Sequence, residues 1–180
     1  SVVPADGYLL SSLIDPIITE KRLQFRTHLA IEIGARLDAA SYGRFAKVEP
    51  TEFKRVLSNL IDNGVEALPG KGAVTVSLAR NGDSVELKVD DNGRGIAPEV
   101  RERLGQRGET YGKPAGSGLG LYHAKTCVEA WGGSLEIASE VGKGTTILVT
   151  LPAAPPPPWF VSQLELAPDT AVIVLDDDTT

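Results

Sequence analysis

Asp90 to Ile96, reading Asp-Asp-Asn-Gly-Arg-Gly-Ile, is the stretch of this chain best equipped for chemistry. It follows Val85-Glu86-Leu87-Lys88-Val89, whose apolar residues alternate as in a half-buried strand, so two carboxylates emerge where that strand ends. Gly93 and Gly95 allow a sharp turn with positive φ and let a flat ligand lie against bare backbone. A carboxylate so placed accepts a hydrogen bond from the exocyclic amine of adenine, whereas guanine presents a carbonyl there and is repelled. Asp91 is the residue expected to do this, with the glycines making room for the ring. Asp-x-Gly-x-Gly alone also suits an ordinary polar strand-to-loop turn.

Two other stretches add to it. From Phe53 to Leu68 the apolar residues recur at helical spacing, with Phe53, Leu57, Leu60, Gly64 and Leu68 on one side. At about 100° per residue, Asn59 and Asn63 fall one turn apart on the opposite side, with Arg55 and Glu66 close by. Further on, Gly116-Ser117-Gly118-Leu119-Gly120-Leu121 opens a helical run that continues to Trp131. In this order and spacing the three stretches resemble the N, G1 and G2 boxes of the GHKL ATPase superfamily, specifically the catalytic, ATP-binding domain of sensor histidine kinases. Cys127 to Ile137, Gly142-Lys143-Gly144-Thr145-Thr146 and Leu151-Pro152 are similar to that domain's last helix and closing hairpin, so the resemblance covers residues 9 to 152.

The resemblance implies ATP and Mg²⁺ as cofactors. Magnesium takes oxygen ligands and keeps several waters, and the second asparagine of the box, Asn63, would supply one carboxamide oxygen to it, while Asn59 lines the phosphates. Asp91, Gly93, Gly95 and Ile96 would surround the base. Gly116, Gly118, Leu119 and Gly120 would present backbone amides and the positive end of a helix to the phosphates. Thr145 would support Asp91 through a water, although a hairpin threonine chosen for β propensity fits the same position. Glu66 departs from the pattern: many relatives carry lysine there, and Asn-x-x-Glu-Ala looks like the nitrogen-regulatory type, so no phosphate-neutralising role is assigned to Glu66. Residues 105 to 117, glycine-rich and aperiodic, read as a lid without the usual phenylalanine, leaving Arg107 and Lys113 as its available cations.

One hundred and eighty residues with 42% hydrophobic content suit one domain and a modest extension. The net charge of −6 argues against a general nucleic-acid surface and against the DNA-topology and mismatch-repair branches of the superfamily. No apolar run approaches the roughly 20 residues needed to span a bilayer, so no membrane contact is expected. The one cysteine, Cys127, has no partner for an internal disulfide, which fits a reducing cytoplasm, and it reads as a small core hydrophobe. A start at Ser1 with no signal-peptide pattern suggests a piece excised from a longer protein.

The elements that must position these residues follow from the same patterns. Residues 1 to 8 read as a loose lead-in, and Leu9 to about Arg26 as a helix interrupted by Pro16; the resemblance implies that this helix enters from a phosphoacceptor bundle, which is absent from the sequence. Leu29, Ile31 and Ile33 predict a strand headed by His28, and Phe45 to Val48 a shorter one. Val74, Val76 and Leu78 pair with the Val85 strand through a turn at Asn81-Gly82-Asp83. Pro98 opens a short helix to about Leu104. Leu135 to Ile137 and Thr146 to Leu151 complete the sheet. Neither His28 nor His123 has the acidic neighbour of a phosphoacceptor, and both read as structural.

The expected fold is therefore an α/β (α+β) two-layer sandwich of the GHKL type: a mixed, mainly antiparallel sheet with helices on one face and ATP between helices and lid. Residues 27–152 form the domain, 1–26 lead into it, 153–170 are a proline-rich linker, and 171–180 look like the first strand of a response-regulator receiver domain. The function expected is MgATP binding and phosphoryl donation to a histidine on a separate dimerisation domain, with a receiver domain as further partner. Two alternatives stay open at this point: a GHKL serine kinase that is also an anti-sigma factor, and a nucleotide-binding module that relays a signal without transfer.

Overall fold

The computed structural model describes residues 7–37, 41–101, 104 and 119–161. Its elements in chain order are β1 (Tyr8–Leu9), α1 (Leu10–Gln24), β2 (Ile31–Arg36), β3 (Phe45–Ala46), α2 (Pro50–Ala67), β4 (Gly72–Asn81), β5 (Ser84–Asp91), α3 (Pro98–Arg101), α4 (Leu119–Ala130), β6 (Ser134–Glu140) and β7 (Gly144–Ala154). The strands run β1-β3-β7-β5-β4-β2, with β6 also paired to β7. Among the described residues only β2–β4 is parallel, and the other pairings are antiparallel. The mixed, mainly antiparallel sheet expected from the sequence is what forms.

One face of the sheet is buried. Val74, Val76 and Leu78 on β4, Val85, Leu87 and Val89 on β5, and Ile147, Val149 and Leu151 on β7 are each less than a tenth exposed, while the intervening Thr75, Ser77, Lys88 and Thr146 lie on the other face. The period of two makes this face apolar, and the helices cover it. Helix α2 inserts Phe53, Val56, Leu57, Leu60, Ile61 and Val65 into the same core that receives Leu10, Ile14, Ile17 and Ile18 from α1 and Ala124 and Val128 from α4. At roughly 1.5–3 kcal/mol for each large apolar side chain buried, packing rather than helix propensity fixes where α2 lies.

Local signals set the ends of α2. Pro50 stands at its first position, and the Glu49 carboxylate caps it by accepting from the backbone N–H groups of Thr51 and Glu52 at 3.1 and 2.7 Å. Those bonds hold the Glu49 carboxyl below its ordinary pKa. Helix α1 is tied to α2 by Lys21, a buried ammonium whose Nζ donates to both oxygens of Asp62, at 2.7 and 2.8 Å, and to Gln24 Oε1 at 3.0 Å.

Several boundaries differ from the sequence reading. Helix α1 runs straight through Pro16, and Leu23, expected on its apolar side, is 61% exposed because Lys21 takes the inward position. The lead-in already contains β1, since Tyr8–Leu9 pairs with Phe45–Ala46. Strand β2 begins at Ile31; His28 and the exposed Leu29 belong to the turn before it, where the His28 N–H bonds to the Phe25 carbonyl. Strand β3 stops at Ala46, and β7 continues past Leu151 through Ala153 and Ala154, which pair with β3. Beyond it Phe160 stacks edge-on against Phe45 at 4.9 Å, so chain that was expected to be linker packs on the sheet. The receiver-like stretch 171–180 lies outside the described residues.

Candidate functional site

Asp91 is the last residue of β5 and continues the buried row Val85, Leu87, Val89, so its side chain stands on the helix-covered face at the rim of the core. Opposite it on α2 is Gly64. A Cβ there would lie 3.5 Å from the Asp91 Cβ and only 3.0 Å from a methyl of Val74, so the missing side chain lets the helix close over the carboxylate. Burial pushes the Asp91 carboxyl up from its ordinary pKa, against the opposing pull of backbone hydrogen bonds from Gly93 and Thr145. The Gly93 N–H bond to Oδ1 is 2.8 Å long, an Asx-type turn that aims the carboxylate.

The loop after Asp91 is clamped at every step. Asn92 Oδ1 accepts from the Ala73 N–H at 2.8 Å, the Arg94 N–H donates to the last carbonyl of α2, Ala67, at 3.0 Å, and the Arg94 carbonyl accepts from Gly142 at 2.8 Å. The Ile96 N–H donates to Ser139 Oγ at 2.9 Å, and that hydroxyl also contacts the Gly144 carbonyl at 2.8 Å and Thr145 Oγ1 at 3.0 Å. Ser139 thus joins the Asp91 loop to the hairpin carrying Thr145. The sequence reading missed it, because a serine in a strand carries no signal of its own. Thr145 is buried and pairs with Asp91 in the β5–β7 register.

The two glycines of the loop also answer to packing within the protein. Gly95 has φ +68, and a Cβ on it would stand 2.1 Å from the Glu140 carbonyl oxygen; a Cβ on Gly93 would stand 2.5 Å from that of Ala67. On the side where each lacks a Cβ, the protein's own backbone lies close.

On α2, Asn59 is half-buried and Asn63 exposed, one turn apart and away from the apolar side, as the helical spacing requires. Gly120, in the first turn of α4, approaches Asn59: a Cβ there would be 3.7 Å from the carboxamide carbon. The start of α4 therefore meets the asparagine side of α2, while Gly64 on the same helix covers Asp91. One helix links the three stretches singled out in the sequence. Asn63 offers a neutral, solvent-accessible oxygen beside this junction, a donor of the kind a hydrated magnesium ion takes. Gly116, Gly118, Arg107 and Lys113, and the side chain of Leu119, lie outside the described residues. His123 is engaged elsewhere on α4, its Nε2 2.7 Å from Glu52 Oε2. No helix of the described residues is long and apolar enough to cross a membrane.

The family described as histidine kinase-, DNA gyrase B-, and HSP90-like ATPase matches residues 48–155, more than half of the chain. Sporulation kinase D of Bacillus subtilis is 38% identical over 108 residues, covering 60% of this chain and 21% of that protein. An uncharacterized sensor-like histidine kinase, R01002, of Rhizobium meliloti is 34% identical over 134 residues, covering 71% and 26% respectively. The chain thus spans between a fifth and about a quarter of these relatives. Among solved structures, the mycobacterial sensor histidine kinase MprB superposes with a TM-score of 0.70 at 27% identity, over 83% of this chain and 98% of that one. Full-length ShkA in complex with AMPPNP shares the fold, with a TM-score of 0.72 at 22% identity over 86% of this chain and 33% of that one.

Proposed function

This chain belongs to the family of histidine kinase-, DNA gyrase B- and HSP90-like ATPases, and from that premise we propose that it is the ATP-binding catalytic domain of a two-component sensor histidine kinase. The observation that carries the reading is the convergence on α2: Gly64 over Asp91 at one end of the asparagine row, and Asn59 against Gly120 at the other. A base held at Asp91 and phosphates held at the start of α4 would span that helix face, with Asn63 ligating Mg²⁺ between protein and phosphates. The relatives named as sensor and sporulation kinases favour a histidine acceptor over the serine acceptor of the anti-sigma type.

In this reading the protein positions and neutralises the triphosphate, and the chemistry is an in-line displacement. The acceptor imidazole nitrogen attacks the γ-phosphorus, the bond to the bridging oxygen breaks, ADP leaves, and the acceptor's proton passes to solvent or a base. The acceptor belongs to a dimerisation domain of the parent protein, and a receiver domain takes the phosphoryl group onward.

The chain alone should bind MgATP and acquire no label from γ-labelled ATP, because His28 lies in a turn and His123 is turned toward Glu52. Adding the parent's helical acceptor domain as a separate chain should give acid-labile label on that domain. Label on the isolated chain that disappears in His123→Ala would reverse this division of labour.

Asn63→Ala should abolish most of the gain in ATP affinity that magnesium brings while leaving adenosine affinity near wild type. Titrations with and without the ion measure both, and a wild-type magnesium increment in the variant removes Asn63 as ligand. Being exposed on α2, the substitution should cost the fold less than about 0.5 kcal/mol.

A further inference from the structure

The first turn of α2 and the middle of α4 bring together three different ligating side chains away from the residues assigned to nucleotide. His123 and Cys127, four residues apart, project from one side of α4 toward Glu52. His123 Nε2 is 2.7 Å from Glu52 Oε2, Cys127 Sγ is 3.5 Å from the same nitrogen and 3.7 Å from the same oxygen, and all three side chains are half-buried. One nitrogen, one oxygen and one sulfur thus form a single small triangle, and the His123 and Glu52 side chains keep 26% and 32% of their exposure.

We propose that Glu52, His123 and Cys127 form a binding site for a borderline-soft divalent cation, zinc being the fitting ion, with water in the fourth position. Tetrahedral zinc with bonds of about 2.0 Å to nitrogen and oxygen and 2.3 Å to sulfur holds its donors roughly 3.3–3.6 Å apart. Two edges of the triangle already have about that length. The third is a hydrogen bond and opens by roughly half an ångström or slightly more when the shared proton leaves.

The donor set selects the metal. A thiolate and an imidazole favour zinc or cobalt over magnesium and calcium, which take oxygen. Burial, and next the Glu52 carboxylate, hold the Cys127 thiol protonated above its ordinary range; Arg55 pulls the other way and Glu49 adds to the rise. A dication replaces that thiol proton, which passes to solvent, and offsets the charge of Glu52. Asn59 lies seven residues beyond Glu52, about 10 Å along α2, so the cation would sit apart from the nucleotide while pinning α4, whose first turn touches Asn59, to α2.

The test uses the whole 180-residue chain without an affinity tag, stripped with a chelator, in a non-ligating reductant and excess Mg²⁺. Zn²⁺ should bind with one-to-one stoichiometry in a competition titration, and Co²⁺ should give a near-ultraviolet thiolate-to-metal charge-transfer band. Since Cys127 is the only cysteine, that band reports on it alone. Cys127→Ser should abolish the band, and His123→Gln and Glu52→Gln should each weaken zinc at least tenfold, with circular dichroism verifying that every variant is folded. Saturating cobalt without a charge-transfer band, or a zinc affinity equal in wild type, Cys127→Ser and His123→Gln, overturns the site. Neither outcome touches the nucleotide assignment, which is read separately by ATP titration.

Discussion

Gly144→Ala should lower the melting temperature by roughly 6–12 °C, the shift expected when about 3 kcal/mol is lost from a chain of this length. Gly144 sits where β7 begins, at φ +110, and a Cβ there would stand 1.9 Å from the Asp91 carbonyl oxygen and 2.8 Å from both the Asp91 carbonyl carbon and the Asn92 Cα. All three are backbone atoms, so no side chain can rotate aside. The substitution must part β5 from β7 at the rung that pairs Asp91 with Thr145. Backbone strain at a disfavoured φ accounts for roughly 1–3 kcal/mol, and the collision adds to it. Gly142→Ala is the matched control: φ is +80 but nothing lies within 4 Å of the added methyl, so only the conformational part should appear, on the order of 1 kcal/mol. Equal melting temperatures for the two variants in a thermal scan would mean that the β5–β7 end is not closed as described.

The same contacts explain what could and could not be read in advance. Asp91 at a strand end and the two asparagines opposite Phe53, Leu57 and Leu60 were legible, because periods of 2 and 3.6 are local properties of sequence. The close backbone packing of Gly93 and Gly95 was not. Their neighbours are the carbonyls of Ala67 and Glu140, contributed by a helix and a hairpin remote in the chain, and a glycine that accommodates protein looks the same in sequence as one that accommodates a ligand. Lys21 was hidden for the same reason: an inward-facing ammonium is tolerable only because Asp62, on another helix, meets it. Two-residue strands such as β1 and β3 have too few residues to display alternation at all, so the extra pairing at Tyr8–Leu9 and the continuation of β7 through Ala154 become visible only with the register. Ser139 and the Glu52, His123 and Cys127 triangle are likewise products of tertiary approach.

Asp91→Ala should weaken ATP binding roughly ten- to a hundred-fold, since a hydrogen bond to a charged group contributes on the order of 1.5–3 kcal/mol. The loss should be selective. A carboxylate that accepts from the adenine amine repels the guanine carbonyl, so the wild type should bind GTP more weakly than ATP, and in the variant GTP should lose little and the preference for ATP should narrow. Stability behaves differently. The folded chain holds the Asp91 proton more tightly than the unfolded chain does, because burial opposes the ionised form. Ionised Asp91 is therefore a destabilising element at neutral pH, and its cost fades as pH falls through the raised folded pKa toward the ordinary carboxylate value. Asp91→Asn, which keeps an acceptor for the Gly93 N–H, should then melt at or above the wild-type temperature at pH 7, with the gap closing in acid. Calorimetric titration with ATP and GTP, beside thermal melts across pH, separates the two effects: a folded Asp91→Ala chain with wild-type ATP affinity would remove Asp91 from the base site, whereas lost affinity for both nucleotides with a lowered melting temperature would mean that the carboxylate serves the loop rather than the ligand.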